Sequence, residues 1–232
     1  MRERPTTWIR GLKRAADGEF PSENLATKLA ADAKIKNLDA IRSGAAIVQD
    51  ISNQTLIDVT LRHFAAEGIA PGARVLDLCA APGGKTLGLA AAGYAVTAVD
   101  RDPRRLEKLR ENVKRCGTAC GFLERVRVLP RGDFLDSEMG FDAVWVDAPC
   151  TGTGVLRRHP EIRWAKQDAD VASLNKVQID LFQEGWSRLR PGGVLVYSVC
   201  SVLKEEGEAI LAAVGLLNSR PDYLIERRFL TP

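Results

Sequence analysis

From residue 74 onward, short apolar runs alternate with segments long enough to form helices. The length of these runs and their content of β-branched residues are typical of buried parallel strands. The runs are Val75–Leu78, Tyr94–Val99, Val126–Leu129, Ala143–Val146 and Val194–Tyr197. Strands separated by helices of this size predict an α/β fold with a doubly wound, Rossmann-like parallel sheet.

The sequence before this alternation has a different character. Residues 1 to about 70 show no strand alternation, and we predict a helical N-terminal extension there, followed by a second domain at residues 71–232. Within the second domain, Asp102-Pro103 predicts a capped helix start. A later helix is predicted to turn one face toward the core, formed by Leu174, Val177, Leu181, Trp186 and Leu189.

Composition narrows the location and the class of protein. No apolar stretch is long enough to cross a bilayer, and no signal-type apolar segment follows the charged start, so we predict a cytoplasmic protein without a membrane partner.

Five cysteines, an odd number, suit a reducing compartment better than a disulfide frame. The two histidines form no zinc-type cluster, and Cys116 and Cys120 lack a second pair, so we expect no metal. A net charge of +3 permits nucleic-acid binding without establishing it.

Reactive side chains follow two of the predicted strands. Asp147 comes directly after the run at 143–146 and is followed by a proline, Cys150 and two glycines. Cys200 follows the run at 194–197. Open α/β sheets bind their ligands at the carboxyl ends of their strands. An acid and two thiols at this edge therefore predict a catalytic site.

A glycine pair, Gly83-Gly84, follows the first strand and lets a ligand approach the backbone at the start of a helix. Cys79 stands where a phosphate-binding loop has glycine, which disfavours ATP. Carboxylates end the next three strands, at Asp100, Asp133 and Asp147. They suit the ribose and adenine of a nucleoside and would repel a polyphosphate, so the predicted cofactor is S-adenosylmethionine. Asp77, inside the first strand, suits a structural hydrogen bond as readily as a cofactor contact.

These motifs together resemble the Fmu/Sun-type RNA (cytosine-5) methyltransferases. The matching stretches follow the order of that family over roughly residues 44 to 210: Leu-Asp-Leu-Cys-Ala-Ala-Pro-Gly-Gly-Lys-Thr (76–86), Val-Asp (99–100), Gly-Asp-Phe (132–134), Asp-Ala-Pro-Cys-Thr-Gly-Thr-Gly (147–154), Arg-Arg-His-Pro-Glu-Ile-Arg-Trp (157–164) and Tyr-Ser-Val-Cys-Ser (197–201). The sequence departs from the family at Val199, where Thr is usual. It is short before Gly44, with no room for a larger N-terminal RNA-binding domain, and we expect the sheet to lack its antiparallel last strand.

The resemblance implies roles for the residues in these motifs. It implies that residues 71–232 form an S-adenosylmethionine-dependent methyltransferase domain, with Cys200 as the nucleophile and Cys150 as the cysteine that assists product release. The residues that it implies for the cofactor site are Cys79, Ala80, Ala81, Pro82, Gly83, Gly84, Lys85, Asp100, Arg101, Asp133 and Asp147.

Cytosine chemistry accounts for an acid and two thiols. Carbon 5 of the base attacks a sulfonium methyl only after a thiolate has added at carbon 6. A free thiol with a pKa of about 8.5 is mostly protonated at neutral pH, so the site must favour the thiolate of Cys200. Asp147 is expected to hydrogen-bond the exocyclic amine and N3, and Cys150, or water near it, to assist loss of the carbon 5 proton. A rival assignment, that of the DNA cytosine-5 enzymes, makes Cys150 the attacking group.

RNA is the predicted partner, because the base must leave its stack to enter such a cleft and single-stranded RNA allows this. The residues predicted to grip phosphates and stack on a base are Arg157, Arg158, His159, Arg163 and Trp164. The alternative for this cluster is a solvated basic face. Ribosomal RNA is the predicted substrate and transfer RNA the runner-up. A non-catalytic RNA-binding or ribosome-assembly factor on the same fold, and a DNA methyltransferase, are the other interpretations.

Overall fold

The structure is a computed structural model that describes residues 6–12, 26–30, 32–134, 139–165, 167–215 and 223–226. The chain divides into two compact units, Met1–Ser137 and Glu138–Pro232. The first unit contains the N-terminal segment together with the first three of the predicted parallel strands. The division therefore does not follow the boundary predicted near residue 70, and the assignment of residues 71–232 as a separate domain stays a prediction.

The N-terminal segment contains a small antiparallel sheet in the order β2-β1-β3, so the prediction of a purely helical extension is wrong. Its strands are β1 (Trp8–Gly11), β2 (Ala26–Lys28) and β3 (Ala46–Val48). Each has three or four residues, which is too short to display a period of two in the sequence. Two helices also lie in this segment, α1 (Asp39–Ser43) and α2 (Ile51–Ala66).

A buried arginine joins this small sheet to α2. Arg10 on β1 donates from Nη1 to the carbonyl oxygen of Gln54 at 3.0 Å and from Nη2 to Asp58 Oδ1 at 2.7 Å. Helix α2 in turn packs on the helix Gly84–Ala91, where Ile57 is fully buried and fills the space beside Gly88. These contacts explain why the N-terminal segment belongs to the same unit as the glycine pair at 83–84.

The first unit continues with three parallel strands in the order β6-β5-β4. These are β4 (Arg74–Leu78), β5 (Ala95–Asp100) and β6 (Val126–Pro130), joined by α3 (Gly84–Ala91) and α4 (Pro103–Cys120). The predicted cap of α4 is confirmed, because the Asp102 carboxylate accepts hydrogen bonds from the backbone N–H groups of Arg104 and Arg105.

The second unit holds β7 (Phe141–Asp147), β8 (Leu189–Ser198) and β9 (Tyr223–Glu226), all parallel. Its helices are α5 (Ile162–Ala165), α6 (Asp168–Arg188) and α7 (Glu208–Ala213). The strand beyond β8 is therefore parallel, and no antiparallel strand occurs among the described residues of this unit. The alternation of parallel strands and helices in both units is the doubly wound, Rossmann-like α/β fold that the sequence predicts.

The face that α6 turns toward β7 differs from the predicted one at Trp186 and Leu189. Leu189 is wrong as a helix position, because α6 ends at Arg188 and Leu189 is the first residue of β8. Leu181 is buried as predicted, but Trp186 is 46% exposed and its ring stacks on Phe182. The inward position is occupied by Gly185, where a Cβ would lie 2.9 Å from Cγ2 of Val146. The helix approaches the sheet too closely for a side chain at 185, and the tryptophan one position later lies at the rim.

Candidate active site

The loop after β4 places backbone amide groups at the start of α3. Cys79 has φ +63 and Gly83 has φ +107, both left-handed, so the chain reverses direction over five residues. The Gly83 N–H donates to the Ala80 carbonyl oxygen at 2.8 Å, and the Ala80 N–H donates to Val99 on the neighbouring strand at 3.0 Å. The result is a fixed turn whose following residues, Gly84 and Lys85, open a helix with its free N–H groups.

Asp100 joins the end of β5 to this loop. Its carboxylate is 3% exposed and accepts hydrogen bonds from the N–H of Ala81 at 3.1 Å and from the N–H of Asp102 at 3.0 Å. An ionised carboxylate offers about four acceptor sites, so two remain for hydroxyl donors. The hydrogen bond from Ala81 joins Asp100 to the glycine loop, and the assignment of both to one cofactor site stays a prediction.

The other predicted cofactor residues of the first unit have different surroundings. Lys85 donates to Asn53 Oδ1 at 3.4 Å, and Arg101 is exposed directly after β5. Asp133 is exposed in the 3₁₀ turn Arg131–Phe134 that follows β6, which is the predicted strand end. Asp77 is fully buried and accepts a hydrogen bond from Thr86 Oγ1 at 2.6 Å, so it has the structural role that the sequence left open.

Sequence reasoning missed three residues beside the loop, two of which hold it by hydrogen bonds. Arg105 on α4 donates to the Ala81 carbonyl oxygen and lies 3.6 Å from the Asp100 carboxylate, while Asn112 donates to the Pro82 carbonyl oxygen at 3.0 Å. These two residues are seven apart, two turns on one face of α4, which is the signal that could have found them. The third is Gln49, whose Nε2 would lie 2.9 Å from a Cβ on Gly84.

The two predicted catalytic cysteines lie together in the second unit. Sγ of Cys150 is 3.1 Å from Sγ of Cys200, within hydrogen-bond distance, and neither cysteine is in a disulfide. Cys200 is exposed and Cys150 is half-buried. At the end of β7, Asp147 accepts a hydrogen bond from Ser198 Oγ at 2.8 Å, and Ser198 accepts one from Trp145 Nε1 at 3.0 Å. The acid and both thiols therefore belong to one edge of the β7–β8 pair.

The thiol pair can hold one negative charge more easily than two. The hydrogen bond to Cys200 and, next, burial raise the pKa of the Cys150 thiol well above its ordinary value, while the Gly152 N–H acts in the opposite direction. Cys150 thus keeps its proton and can donate it in a hydrogen bond to a Cys200 thiolate. The exposed sulfur has access to water and to an incoming base.

A glycine missed by sequence reasoning fixes the backbone of Cys200. The Gly154 N–H donates to the Cys200 carbonyl oxygen at 3.0 Å. A Cβ on Gly154 would lie 2.9 Å from that same oxygen, so the two backbone segments approach each other too closely for any side chain. The glycine stands inside the quoted Thr-Gly-Thr-Gly motif, and the need for close approach is the reason for it.

The predicted RNA-binding residues line one exposed segment of the second unit. The segment comprises a turn with Arg157, Arg158 and His159, followed by α5 with Arg163 and Trp164. Trp164 is 76% exposed, which is unusual for an aromatic ring of this size. Ile162 on α5 would lie 3.3 Å from a Cβ on Gly152, and the same Cβ would lie 4.0 Å from Cys200 Sγ. The segment therefore packs directly beside the thiol pair.

The part of the chain that the structure describes contains no group of three or more His, Cys, Asp or Glu side chains arranged to hold a metal ion. None of the helices described is both long enough and apolar enough to span a bilayer.

Comparison with known proteins places the chain in a family. A family model described as 16S rRNA methyltransferase RsmB/F matches residues 68–230. Ribosomal RNA small subunit methyltransferase B of Salmonella arizonae is 39% identical over 216 residues, which cover 91% of this chain and 47% of the relative. The protein of the same name from Klebsiella pneumoniae is 38% identical over 210 residues, covering 89% and 47%. The chain thus spans about half the length of these curated relatives.

Solved structures agree in fold. A methyltransferase homolog from Pyrococcus horikoshii superimposes with a TM-score of 0.67 and 26% identity, over 92% of this chain and 70% of that one. NSun6 from Pyrococcus horikoshii with SFG gives a TM-score of 0.65 and 26% identity, over 78% of this chain and 45% of that one. The family match spans more than half of the sequence and includes the glycine loop, the strand-end acids and both cysteines. The Fmu/Sun-type resemblance is therefore confirmed, and the chain belongs to the RsmB/F family of 16S rRNA methyltransferases.

Proposed function

We propose that this chain is an RNA cytosine-5 methyltransferase that modifies small-subunit ribosomal RNA through a covalent adduct at Cys200. The observation that supports it most is the 3.1 Å contact between Cys150 and Cys200 at the strand ends that also carry Asp147. A binding protein has no need of two reduced cysteines whose thiols are in contact at the strand ends. The relatives named as ribosomal RNA small subunit methyltransferases favour ribosomal over transfer RNA.

The first unit fits S-adenosylmethionine as the cofactor. Asp100 is a buried carboxylate with spare acceptor capacity, which suits ribose hydroxyls, and the positive φ of Gly83 bends the loop so that the amides of α3 face outward. Cys79 to Lys85, Arg101 and Asp133 are the other residues proposed to hold it. When bound, S-adenosylmethionine supplies an electrophilic methyl group.

Cys200 is proposed to attack carbon 6 of the flipped cytosine as a thiolate. The Cys150 thiol donates a hydrogen bond to that thiolate and stabilises the charge before attack. Asp147, oriented by Ser198 at 2.8 Å, is proposed to hold the exocyclic amine and N3. The ring then carries enamine character at carbon 5, the atom that accepts the methyl group.

Product release returns the thiolate. A base removes the carbon 5 proton, the C–H electrons form the carbon 5–carbon 6 double bond, and the carbon 6–sulfur bond breaks with its electrons on Cys200. Cys150 is the proposed assisting group, because Cys200 is then a neutral thioether and no longer competes for the proton of its neighbour.

The rival assignment, with Cys150 as the attacking group, is disfavoured by burial and charge. Cys150 is the less exposed sulfur, and its pKa is raised by the contact with Cys200 and by burial. Since the thiolate is the reactive form, the sulfur that keeps its proton is the poorer nucleophile.

RNA contact is proposed for the exposed segment Arg157–Trp164. Its arginines match phosphates and its 76% exposed tryptophan offers a ring for base stacking. The arrangement beside Gly152 would bring an RNA strand to the thiol pair. Because ribosomal RNA is made and modified in the cytoplasm, we also propose a cytoplasmic location.

Methyl transfer tests the proposal directly. With methyl-labelled S-adenosylmethionine and 16S rRNA, Cys200→Ser is expected to abolish labelling, whereas Cys150→Ser should accumulate a covalent protein–RNA adduct. Cys120→Ser, at a half-buried thiol on α4, is the matched control and should retain labelling without an adduct. Retention of label by Cys200→Ser together with free turnover of Cys150→Ser would refute the assigned roles. Label in transfer RNA alone would select the runner-up substrate, and RNA binding without any label would select the assembly factor.

The RNA contact has its own test. Arg158→Ala is expected to raise the dissociation constant for RNA and to reduce the slope of log K against log salt by about 0.7, the value for one lost phosphate contact on a single strand. Arg62→Ala, at an exposed arginine of α2, serves as the charge-matched control. Identical salt series for the two variants would remove this segment from the RNA site.

A further inference from the structure

We propose that Glu206 is a positioning residue for methyl transfer, whose buried carboxylate holds the loop with Cys150 against the segment with Cys200. The proposal rests on the proposed function for its catalytic consequence, but its structural basis is independent of any substrate. Glu206 lies in the 3₁₀ turn Lys204–Glu206, is fully buried, and belongs to none of the motifs from which the site was predicted.

The carboxylate binds the residue next to Cys150 at two points. Glu206 Oε1 accepts a hydrogen bond from the Thr151 backbone N–H at 2.9 Å, and Oε2 accepts one from the Thr151 hydroxyl. Oε1 also accepts from Gln178 Nε2 at 3.1 Å, and the same Nε2 lies 2.9 Å from the Pro149 carbonyl oxygen. Both neighbours of Cys150 in the chain are therefore held, directly or through Gln178.

The same residue is fixed to the Cys200 side. The Tyr197 hydroxyl, on the strand that leads to Cys200, donates to the Glu206 carbonyl oxygen at 3.1 Å. Ser201, which follows Cys200, lies 3.3 Å from Thr151 Oγ1 and 2.9 Å from Thr153 Oγ1. Glu206 thus stands between two loops that are about fifty residues apart in sequence and sets the distance between their sulfurs.

The donors to this carboxylate are all neutral groups: a backbone amide, a hydroxyl and a side-chain amide. A buried carboxylate accepts at both oxygens, whereas the amide of a glutamine accepts at its oxygen and can only donate at its nitrogen. Its negative charge also adds to the raised pKa of Cys150, as the smallest of the identified contributions. Glu206 therefore favours a protonated Cys150 in the orientation that faces Cys200.

A glutamine at this position could keep its oxygen toward the Thr151 N–H and Gln178, but its NH₂ group would then face the Thr151 hydroxyl, which would have to accept instead of donate. The negative charge that strengthens these hydrogen bonds would also be lost, so the loop at 149–153 would be held less firmly and Cys150 would lose its fixed contact with Cys200. Addition of Cys200 to the base would lose only the stabilising hydrogen bond from Cys150, whereas release depends on Cys150 itself. The expected consequence is an enzyme that forms the adduct and releases it slowly.

The test compares Glu206→Gln with Glu205→Gln, which changes the exposed neighbouring acid. With 16S rRNA and methyl-labelled S-adenosylmethionine, Glu206→Gln is expected to raise the denaturant-resistant protein–RNA adduct and to lower turnover, each by roughly 10- to 100-fold. A residue with only a structural role would lower the amount of folded protein, which reduces methylation and adduct together.

A second measurement needs no RNA. In a Cys200→Ser background, labelling of Cys150 by iodoacetamide is followed by peptide mass across a pH series from about 7 to about 10. Glu206→Gln is expected to make Cys150 react at lower pH than Glu205→Gln does. If the parent chain neither labels the RNA nor forms an adduct, the proposed function fails. The pH dependence of iodoacetamide labelling still shows whether Glu206 affects the reactivity of Cys150.

Circular dichroism checks that each variant is folded, and a milder variant provides a second test. Thr151→Val keeps the side-chain shape and the backbone donor but removes the hydroxyl that Glu206 accepts. Should Glu206→Gln fail to fold, Thr151→Val is expected to show the same adduct accumulation to a smaller degree. Adduct and turnover equal to those of Glu205→Gln, in whichever variant folds, would overturn the proposal.

Discussion

Replacing Gly154 by alanine is expected to move the proposed nucleophile. The new Cβ would lie 2.9 Å from the Cys200 carbonyl oxygen and 3.4 Å from its carbonyl carbon. Carbon and oxygen atoms in proteins approach to about 3.3 Å, so the two segments must separate by about 0.4 Å. Since the obstacle is backbone, no side chain can rotate to make room. Gly154 does not have a positive φ, so the conformation itself accepts alanine.

The expected cost follows from these distances. Overpacking of a close contact costs about 1–3 kcal/mol, and the reduced freedom of the unfolded chain offsets about 0.4–1 kcal/mol of it. We therefore expect urea unfolding to report a loss of about 1–2 kcal/mol. A displacement of 1 Å at a reacting group costs about 100-fold in rate, so a shift of less than half that is expected to slow single-turnover methylation about tenfold.

Gly132→Ala provides the matched control for stability, because no atom lies within 4 Å of its Cβ position and its φ is not positive. This variant should be as stable as the parent or slightly more stable. The reasoning fails if Gly154→Ala unfolds at the same urea concentration as Gly132→Ala and methylates at the parental rate. Such a result would mean that the backbone at Cys200 can move away from residue 154 without a loss of stability or activity.

Three other changes test separate parts of the structure. Asp100→Asn is expected to weaken S-adenosylmethionine binding, measured by calorimetry, about tenfold or more. The asparagine has one acceptor oxygen, so it cannot accept hydrogen bonds from the loop N–H groups and from the ribose hydroxyls together. Unchanged affinity would remove Asp100 from the cofactor site. Gly185→Ala should cost about 1–3 kcal/mol in urea unfolding, since its Cβ would lie 2.9 Å from Val146 and 3.1 Å from Val144; parental stability would show that α6 can lift from the strand. Burial raises the pKa of Cys116 from 9.0 to about 11. The thiol of the unfolded chain therefore ionises at a lower pH than the folded one. The stability that this group contributes is complete below pH 9 and is lost as the pH rises through about 11. Cys116→Ala should lack that alkaline component, and identical pH–stability curves for the two proteins would contradict it.

The strands of the main sheet could be predicted because each is a run of apolar, β-branched residues bounded by turns. That pattern fails for strands of three or four residues such as Trp8–Gly11, whose pairing depends on contacts with residues far along the chain. Trp186 illustrates a second limit. Helical spacing alone places it near the buried face, but the close approach of Gly185 to β7 decides which side of the helix is covered.

The site was predictable where a strand end fixes a side chain. Asp100, Asp147, Cys150 and Cys200 all lie where strand ends deliver them. Glu206 was not predictable, because it stands among Glu205 and Glu208 in a charged stretch that is typical of a solvated surface. Its burial arises from partners 28 and 55 residues away, and no local pattern encodes such contacts.

The packing of α2 on α3 has a practical consequence for anyone who shortens this protein. The Phe64 ring meets Tyr94 edge-on at a centroid distance of 5.5 Å, and Ile57 occupies the space that Gly88 leaves. Trimming to the start of the family match, near residue 68, would remove α2 and expose the apolar side chains that it covers on α3 and at Tyr94. Truncated versions intended for crystallisation should therefore begin upstream of Ile51, or they will be prone to aggregate.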